Sequence, residues 1–204
     1  MALETRGETL KIVDATGGIA VDLDALQGTW TEGQYLRLSE RTNQLLEFTD
    51  GVIEVLPMPT DRHQVMLLFL YDLLKAFIQG RGKVLVAPLR LQIRPGAYRE
   101  PDILLVLDAD DPRRQDAFWI GADLVIEIVS PDRPERDTVD KPLDYAAAGV
   151  PEYWIVNPLD ATVSVLTLQG ERYSVGAVYR RGDLAWSVVL DGFAVEVAAI
   201  FDAR

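Results

Sequence analysis

Three side chains that could carry out hydrolytic chemistry lie in or near stretches that are otherwise apolar. Asp102 precedes the apolar run at 103–106, Glu127 lies inside the run at 124–129, and Lys141 follows on a later helical segment. Both runs have the length of buried strands. An unpaired carboxylate inside such a strand costs several kcal/mol. Glu127 therefore needs a partner, either a divalent cation shared with Asp102 or an ion pair with Lys141.

The composition restricts which metal could serve. The chain has 204 residues, no cysteine and a single histidine, so thiolate zinc sites, disulfides and cysteine nucleophiles are excluded, as is a histidine-rich metal site. Any metal would be a hard cation with oxygen ligands, Mg²⁺ or Mn²⁺. Its predicted ligands are the carboxylates of Asp102 and Glu127 and the backbone carbonyl of Ile128.

Such a site would suit hydrolysis of a phosphodiester. A metal ion held by carboxylates neutralises charge on the phosphoryl oxygens and generates a hydroxide nucleophile at neutral pH. Lys141 would orient or deprotonate the attacking water, or stabilise the charge that develops in the transition state. An internal Lys–Glu ion pair gives the same sequence pattern, so the residues alone leave both interpretations open.

A hairpin supplies a further candidate acid. Asp50-Gly51 separates two β-prone runs and predicts a two-residue turn. The resulting register sets Glu47 across from Glu54, and like charges about 5 Å apart are destabilising unless they are solvated or bridged by a cation. One interpretation is two exposed glutamates at a sheet edge. The other makes Glu47 an auxiliary acid of the same metal site.

Two helices must position the remaining groups. Thr60 predicts the cap of a largely buried helix over 61–78, and His63 falls in its first turn, where a histidine is more often a capping or hydrogen-bonding residue than a catalytic one. Lys141 belongs to a second helix that ends at Gly149. Because proline is tolerated only in a first turn, Pro142 predicts that this helix begins near residue 140 or is kinked there.

These elements predict an α/β (α+β) fold with one domain over 31–204, preceded by a peripheral segment at 1–30. From residue 162 onward, short alternating segments separated by glycine-containing turns predict an antiparallel extension. That extension is a candidate self-association surface, and we predict a homodimer.

The charge balance bears on possible partners. Lys and Arg total 20 against 32 Asp and Glu, a net charge of -12, which counts against general coating of nucleic acid. Arginines near the acid-bearing strands form either a local basic rim or an ordinary solvated surface: Arg90, Arg94, Arg99, Arg113, Arg114, Arg133 and Arg136. No apolar run approaches the ~20 residues needed to span a bilayer. The first six residues lack the features of a secretory signal, so we expect a cytoplasmic protein.

Several motifs together resemble one known family. They are Pro101-Asp102, the stretch at 127–131 (EIVSP), Asp137 with Lys141, and the segment at 145–154 that ends in Gly-Val-Pro-Glu-Tyr-Trp. The pattern is similar to the Uma2 family of restriction-endonuclease-like proteins, within the PD-(D/E)XK nuclease superfamily, and the similarity extends from about residue 31 to the end.

The resemblance implies a restriction-endonuclease-like core, in which a helix precedes a mixed sheet, with Asp102 and Glu127 as metal ligands and DNA as substrate. In the superfamily's usual pattern the lysine lies two residues after the second acid, a position occupied here by Val129. The resemblance moves that role to Lys141. Two alternatives remain: a non-catalytic binding or assembly module that keeps the nuclease fold, and a metal-dependent hydrolase acting on RNA or nucleotides.

Overall fold

In the computed structural model of the chain, residues 11–13, 20–22 and 24–204 are described. They form two compact units, the described residues up to Met58 with Arg94–Glu100, and Pro59–Ile93 with Pro101–Arg204. The predicted peripheral segment at 1–30 lies largely outside the described residues. In the described part of the chain, no helix combines the length and the apolar character that a membrane span requires.

The first unit is built around a small antiparallel sheet. Its elements are the pair β1 (Lys11–Val13) and β2 (Ala20–Asp22), a 3-10 turn (Asp24–Leu26), α1 (Glu32–Ser39), β3 (Leu46–Thr49) and β4 (Val52–Val55). A later strand, which is β7 in chain order (Ala97–Arg99), pairs with the other edge of β3. The predicted hairpin register is confirmed, because Glu47 pairs with Glu54 across β3 and β4. Asp50 and Gly51 of the turn have φ angles of 47° and 88°, the left-handed conformation that this turn requires.

The second unit contains a six-stranded mixed sheet and its covering helices. Its elements in chain order are α2 (Asp61–Ile78), β5 (Lys83–Val86), β6 (Leu91–Arg94, ending at the boundary of the first unit), β8 (Ile103–Val106), β9 (Leu124–Ile128), a π-helical turn (Arg136–Asp140), α3 (Lys141–Ala147), β10 (Glu152–Asn157), β11 (Thr162–Gln169), β12 (Arg172–Tyr179), β13 (Leu184–Trp186), β14 (Ala194–Glu196) and α4 (Val197–Asp202). The sheet order is β12-β11-β10-β9-β8-β5. Only β9 and β10 run parallel, because the π turn and α3 cross between them.

The two faces of β9 have different surroundings: one packs into the hydrophobic core of this unit, and the other carries Glu127. Leu124, Ile126 and Ile128 belong to the hydrophobic core together with residues of α2 such as Leu70. Because successive side chains of a strand alternate between faces, Glu127 lies on the opposite face. The carboxylate of Glu127 is therefore on the face of this otherwise apolar strand that does not pack against α2.

The structure adds one element at each end of this region that the sequence did not predict. The α-helix that carries Lys141 begins at residue 141, as predicted, and a π-helical turn at Arg136–Asp140 leads into it. Pro142 occupies the first turn of α3, as its missing N–H requires. At the other end of the chain, the predicted antiparallel extension contains β11 to β14, but the chain then forms α4, which the strand pattern did not predict.

Candidate functional site

Asp102 and Glu127 stand on adjacent antiparallel strands. The register of β8 and β9 pairs Ile103 with Ile126, and extending it by one residue sets Asp102 opposite Glu127. Residues directly opposite in an antiparallel pair share a face, with Cβ atoms about 5 Å apart. The backbone N–H of Ile128 donates to Asp102 Oδ2 at 2.7 Å. The structure thus brings the two predicted acids together.

Lys141 reaches the same cluster from the start of α3. Its Nζ lies 2.8 Å from Glu127 Oε1 and 2.9 Å from Asp137 Oδ1, and its side chain is only 5% exposed. The Tyr145 hydroxyl also donates to Glu127 Oε1. The partner that Glu127 requires is therefore Lys141, assisted by a neutral donor.

Asp137 and Tyr145 are members of this cluster that the sequence analysis did not propose as site residues. Asp137 is 5% exposed, and its backbone carbonyl accepts a hydrogen bond from the Tyr153 hydroxyl at 2.8 Å. The signal that could have found them is the spacing of Asp137, Lys141 and Tyr145. Residues four apart lie on one face of a helix, but a helix start near residue 140 excluded the first of the three.

The electrostatics of the cluster are dominated by burial. Burial of the Glu127 carboxyl raises its pKa to about 8, the negative charges of Asp102 and Asp137 push it in the same direction, and Lys141 opposes the rise. The pKa of the Tyr153 hydroxyl is also raised well above its ordinary value, chiefly by burial. Because one ammonium faces several acids, an added cation would relieve the crowding of negative charge.

His63 contacts Asp102, the first of the two acids, from the first turn of α2. Its Nε2 is 3.1 Å from Asp102 Oδ2, and each side chain is 15% exposed. Burial lowers the pKa of His63, but its hydrogen bond to Asp102 and the charges of Asp102, Glu127 and Asp137 outweigh that effect and raise the pKa overall. The only histidine of the chain is thus part of the cluster.

Glu47, the third predicted acid, lies in the first unit. It is 1% exposed, so the interpretation of two exposed glutamates is wrong for this residue. Its Oε2 is 3.6 Å from Arg99 Nη1, and its Oε1 accepts from the backbone N–H of Glu100 at 3.2 Å. These contacts neutralise Glu47 within its own unit, and its auxiliary role stays a prediction.

The donor set can be tested against the hard cation that the sequence analysis implies. Among the described residues, no three His, Cys, Asp or Glu side chains form a ready-made metal cluster. Asp102 Oδ2 and Glu127 Oε1 already accept hydrogen bonds, whereas Asp102 Oδ1 and Glu127 Oε2 form no hydrogen bond or ion pair with the described part of the chain. Two carboxylates on one face fit Mg²⁺, which keeps several waters and takes one or two carboxylates. The Ile128 carbonyl stays a predicted ligand.

The predicted basic rim is not supported by three of its seven arginines. Arg94 pairs with Asp50, Arg99 with Glu47, and Arg113 with two aspartates of its own unit. The positive charge of each of these arginines is paired with a carboxylate of the same chain. These three residues therefore add little positive potential for a polyanion.

Comparisons with known proteins agree with this geometry. A family model described as "Uma2: Putative restriction endonuclease" matches residues 33–198. Among solved structures, the chain is similar to one titled as a putative nuclease belonging to DUF820 from Anabaena variabilis ATCC 29413, with a TM-score of 0.67, 20% sequence identity, and coverage of 81% of this chain and 96% of that one. No curated protein matches the chain.

The fold is that of restriction-endonuclease-like nucleases: a mixed sheet preceded by a helix, with Asp102 just before β8 and Glu127 within the adjacent strand β9. Since the family model covers more than half of the chain, the protein belongs to the Uma2 family. The family and the fold expected from the sequence are both confirmed.

Proposed function

We propose that this protein is a metal-dependent endonuclease that hydrolyses DNA phosphodiester bonds. The observation that carries the proposal is the cluster of Asp102, Glu127, Asp137 and Lys141, in which one buried ammonium pairs with two buried carboxyl groups beside a third acid. Such a cluster is expensive to maintain for stability alone, because apolar residues of similar volume would serve as well or better.

Asp102 Oδ1 and Glu127 Oε2 would hold Mg²⁺ or Mn²⁺, with water completing the coordination. The bound ion would supply charge neutralisation at the phosphoryl oxygens and a hydroxide nucleophile. Tyr145 and Lys141 both bind Glu127 Oε1, so Oε2 is the oxygen that would be left to hold the cation. The Lys141 ammonium also provides positive charge for the phosphoryl oxygens in the transition state.

DNA is the substrate that the family and the fold favour, and a net charge of -12 means that it must be bound through local contacts rather than a broad basic surface. The cluster addresses the phosphate and not the sugar, so RNA is the competing substrate. A side-by-side assay of DNA and RNA oligonucleotides of one sequence separates them.

The decisive experiment is a nicking assay on supercoiled plasmid with Mg²⁺ or Mn²⁺. We expect the wild type to nick the plasmid, and Asp102→Asn and Glu127→Gln to lose that activity while remaining folded. Glu171→Gln, at an exposed position in the turn between β11 and β12, is the matched control. Absence of nicking by the wild type, or equal nicking by all variants, would contradict the proposal.

A second candidate is a non-catalytic binding or assembly module that retains the nuclease fold. The observation that favours it is the ion pair of Lys141 with both Glu127 and Asp137, because internal pairing could satisfy the acids without a metal. Calorimetric titration with Mn²⁺ separates the candidates. Saturable binding that Glu127→Gln removes supports the nuclease, and no binding by a folded wild type supports the module.

We also propose a homodimer. The edge strand β12 has eight residues and exposes Val175 and Val178, and it carries no charged side chain after Arg172. Exposed edges of this kind can pair with another strand. Sedimentation analysis of the wild type and of Val175→Lys tests this: a dimer that the variant dissociates is expected, and a monomeric wild type would contradict it.

A further inference from the structure

The position of His63 is fixed by a hydrogen bond of its backbone N–H to the helix-capping residue. The Thr60 side chain caps α2 by accepting from the backbone N–H of His63 at 3.2 Å, and this fixes the first turn that carries the imidazole. From that position His63 Nε2 reaches Asp102 Oδ2 at 3.1 Å. A carboxylate can only accept hydrogen bonds, so Nε2 must carry the hydrogen.

Two donors therefore converge on one oxygen of Asp102. The backbone N–H of Ile128 donates to Asp102 Oδ2 at 2.7 Å, and His63 donates to the same atom from a different element. A carboxylate held through one oxygen by two rigid donors has a fixed plane, which determines the direction of its other oxygen. The remaining oxygen, Oδ1, is the one proposed above as a metal ligand.

The other ring nitrogen of His63 gives an independent observation. Nδ1 is buried and has no hydrogen-bond partner in the described part of the chain. A buried polar atom without a partner destabilises the fold, and such atoms in native structures call for a reason beyond stability.

We propose that His63 is a positioning residue. Together with the Ile128 N–H it fixes the orientation of the Asp102 carboxylate, so that Oδ1 would be available to the cation. This inference rests on the proposed metal-dependent function. His63 acts through Asp102 and does not touch the phosphate. Substitution of a residue that orients a metal ligand typically lowers metal affinity about 10- to 100-fold.

Three substitutions of one residue test the geometry. The amide nitrogen of His63→Gln can occupy the place of Nε2, whereas that of His63→Asn lies near the place of Nδ1 and cannot reach Asp102. His63→Ala removes both nitrogens. Mn²⁺ affinity measured by calorimetry is the readout. We expect His63→Gln to bind within about threefold of wild type, and His63→Asn and His63→Ala to bind about 10- to 100-fold more weakly.

Asp102→Asn and the wild type separate failure of this inference from failure of the proposed function. A folded wild type that binds no Mn²⁺ overturns both. Wild-type binding that Asp102→Asn removes, together with unchanged affinity in His63→Asn and His63→Ala, overturns the role of His63 alone. Equal weakening in His63→Gln and His63→Ala overturns it too, since the donor would then not rescue affinity.

Thermal unfolding without metal checks that each variant is folded. If His63→Ala and His63→Asn are too unstable to titrate, His63→Met, which has a similar volume and no donor, replaces them. Affinity at least about tenfold below that of His63→Gln supports the positioning role, and equal affinity in the two variants overturns it.

Discussion

Two glutamates on neighbouring strands are equally buried but differently satisfied. Glu152 opens β10 and is fully buried; it accepts from the Trp154 indole N–H and from the backbone N–H groups of Val188 and Val189 at 2.6 and 2.8 Å. Glu127 in β9 is 2% exposed and is bound by Lys141 and a tyrosine hydroxyl. One carboxylate has neutral, fixed donors; the other has a charged partner and like-charged neighbours.

The difference separates a structural carboxylate from one that we propose as a metal ligand. An indole N–H and two backbone N–H groups satisfy both oxygens of Glu152, and the backbone donors bind the segment before β14 to the sheet. The donors around Glu127 leave Oε2 without a partner among the described residues and leave excess negative charge nearby. Burial alone therefore does not identify an active-site acid; the identity of its partners does.

Removal of Lys141 should have the largest effect, because it leaves Glu127 and Asp137 buried without a cation. We expect Lys141→Met to lower the free energy of unfolding by about 3–5 kcal/mol near neutral pH, as measured by urea denaturation. The exposed Lys83→Met is the control and should change it by no more than about 0.5 kcal/mol. A loss of similar size in both variants would mean that the cluster carries little electrostatic strain.

Substitution of the two glutamates should separate catalysis from stability. Glu127→Gln should lower the plasmid-nicking rate about 10²- to 10³-fold, the loss that follows removal of one preorganised electrostatic group. Glu152→Gln, assayed where it is folded, should keep most of the activity. Similar losses in the two variants would show that the comparison does not distinguish an active-site acid.

The two variants should rank in the opposite order when stability is measured, with the larger loss in Glu152→Gln. Glu152→Gln turns one acceptor oxygen into a donor that faces a backbone N–H, and it should lower the free energy of unfolding by about 1.5–3 kcal/mol. Glu127→Gln should cost less, because it also removes repulsion from Asp102 and Asp137. Urea denaturation of both, with Glu171→Gln as control, tests this ranking, and a larger loss in Glu127→Gln would refute it.

The pH dependence should distinguish the same pair. The pKa of Glu127 is raised to about 8 in the folded chain, so the folded state holds a proton that the unfolded state has already lost. Its contribution to stability is complete below the unfolded pKa and is lost as the pH rises toward 8. Relative to Glu127→Gln, the wild type should lose at most about 1.4 kcal/mol per pH unit between pH 5 and 8.

The control for this experiment is Glu152→Gln, whose difference from wild type should vary less with pH. Urea denaturation at unit steps of pH provides the data. Parallel stability profiles for the wild type and Glu127→Gln would mean that Glu127 is ionised in the folded chain throughout this range.

The smallest expected effect comes from a single hydroxyl. Tyr145→Phe removes one donor to Glu127 and should lower the free energy of unfolding by about 1 kcal/mol. Tyr173→Phe is a matched control, because it removes a hydrogen bond to a neutral backbone carbonyl, that of Val150. Only Tyr145→Phe should move the pH at which Glu127 titrates; a shift in both would argue against a specific contact.

The features that sequence predicted best are those with local causes. The hairpin at Asp50-Gly51 and the bounds of α2 follow from turn chemistry and capping. The π turn before Lys141 and the helix α4 depend on tertiary contacts, so their local patterns did not reveal them. The sequence indicated that Glu127 needs a partner, but the choice between a cation and Lys141 required the geometry that brings α3 to β9.

The cluster draws residues from α2, the start of β8, β9, the π turn and α3, which together cover positions 63 to 145. No contiguous fragment shorter than that interval contains all of its members, and the central strands must be aligned before the acids meet. Hydrolytic competence should therefore appear only when the last of these segments docks. Under the proposed nuclease function, an incompletely synthesised chain would be harmless to the nucleic acid around it.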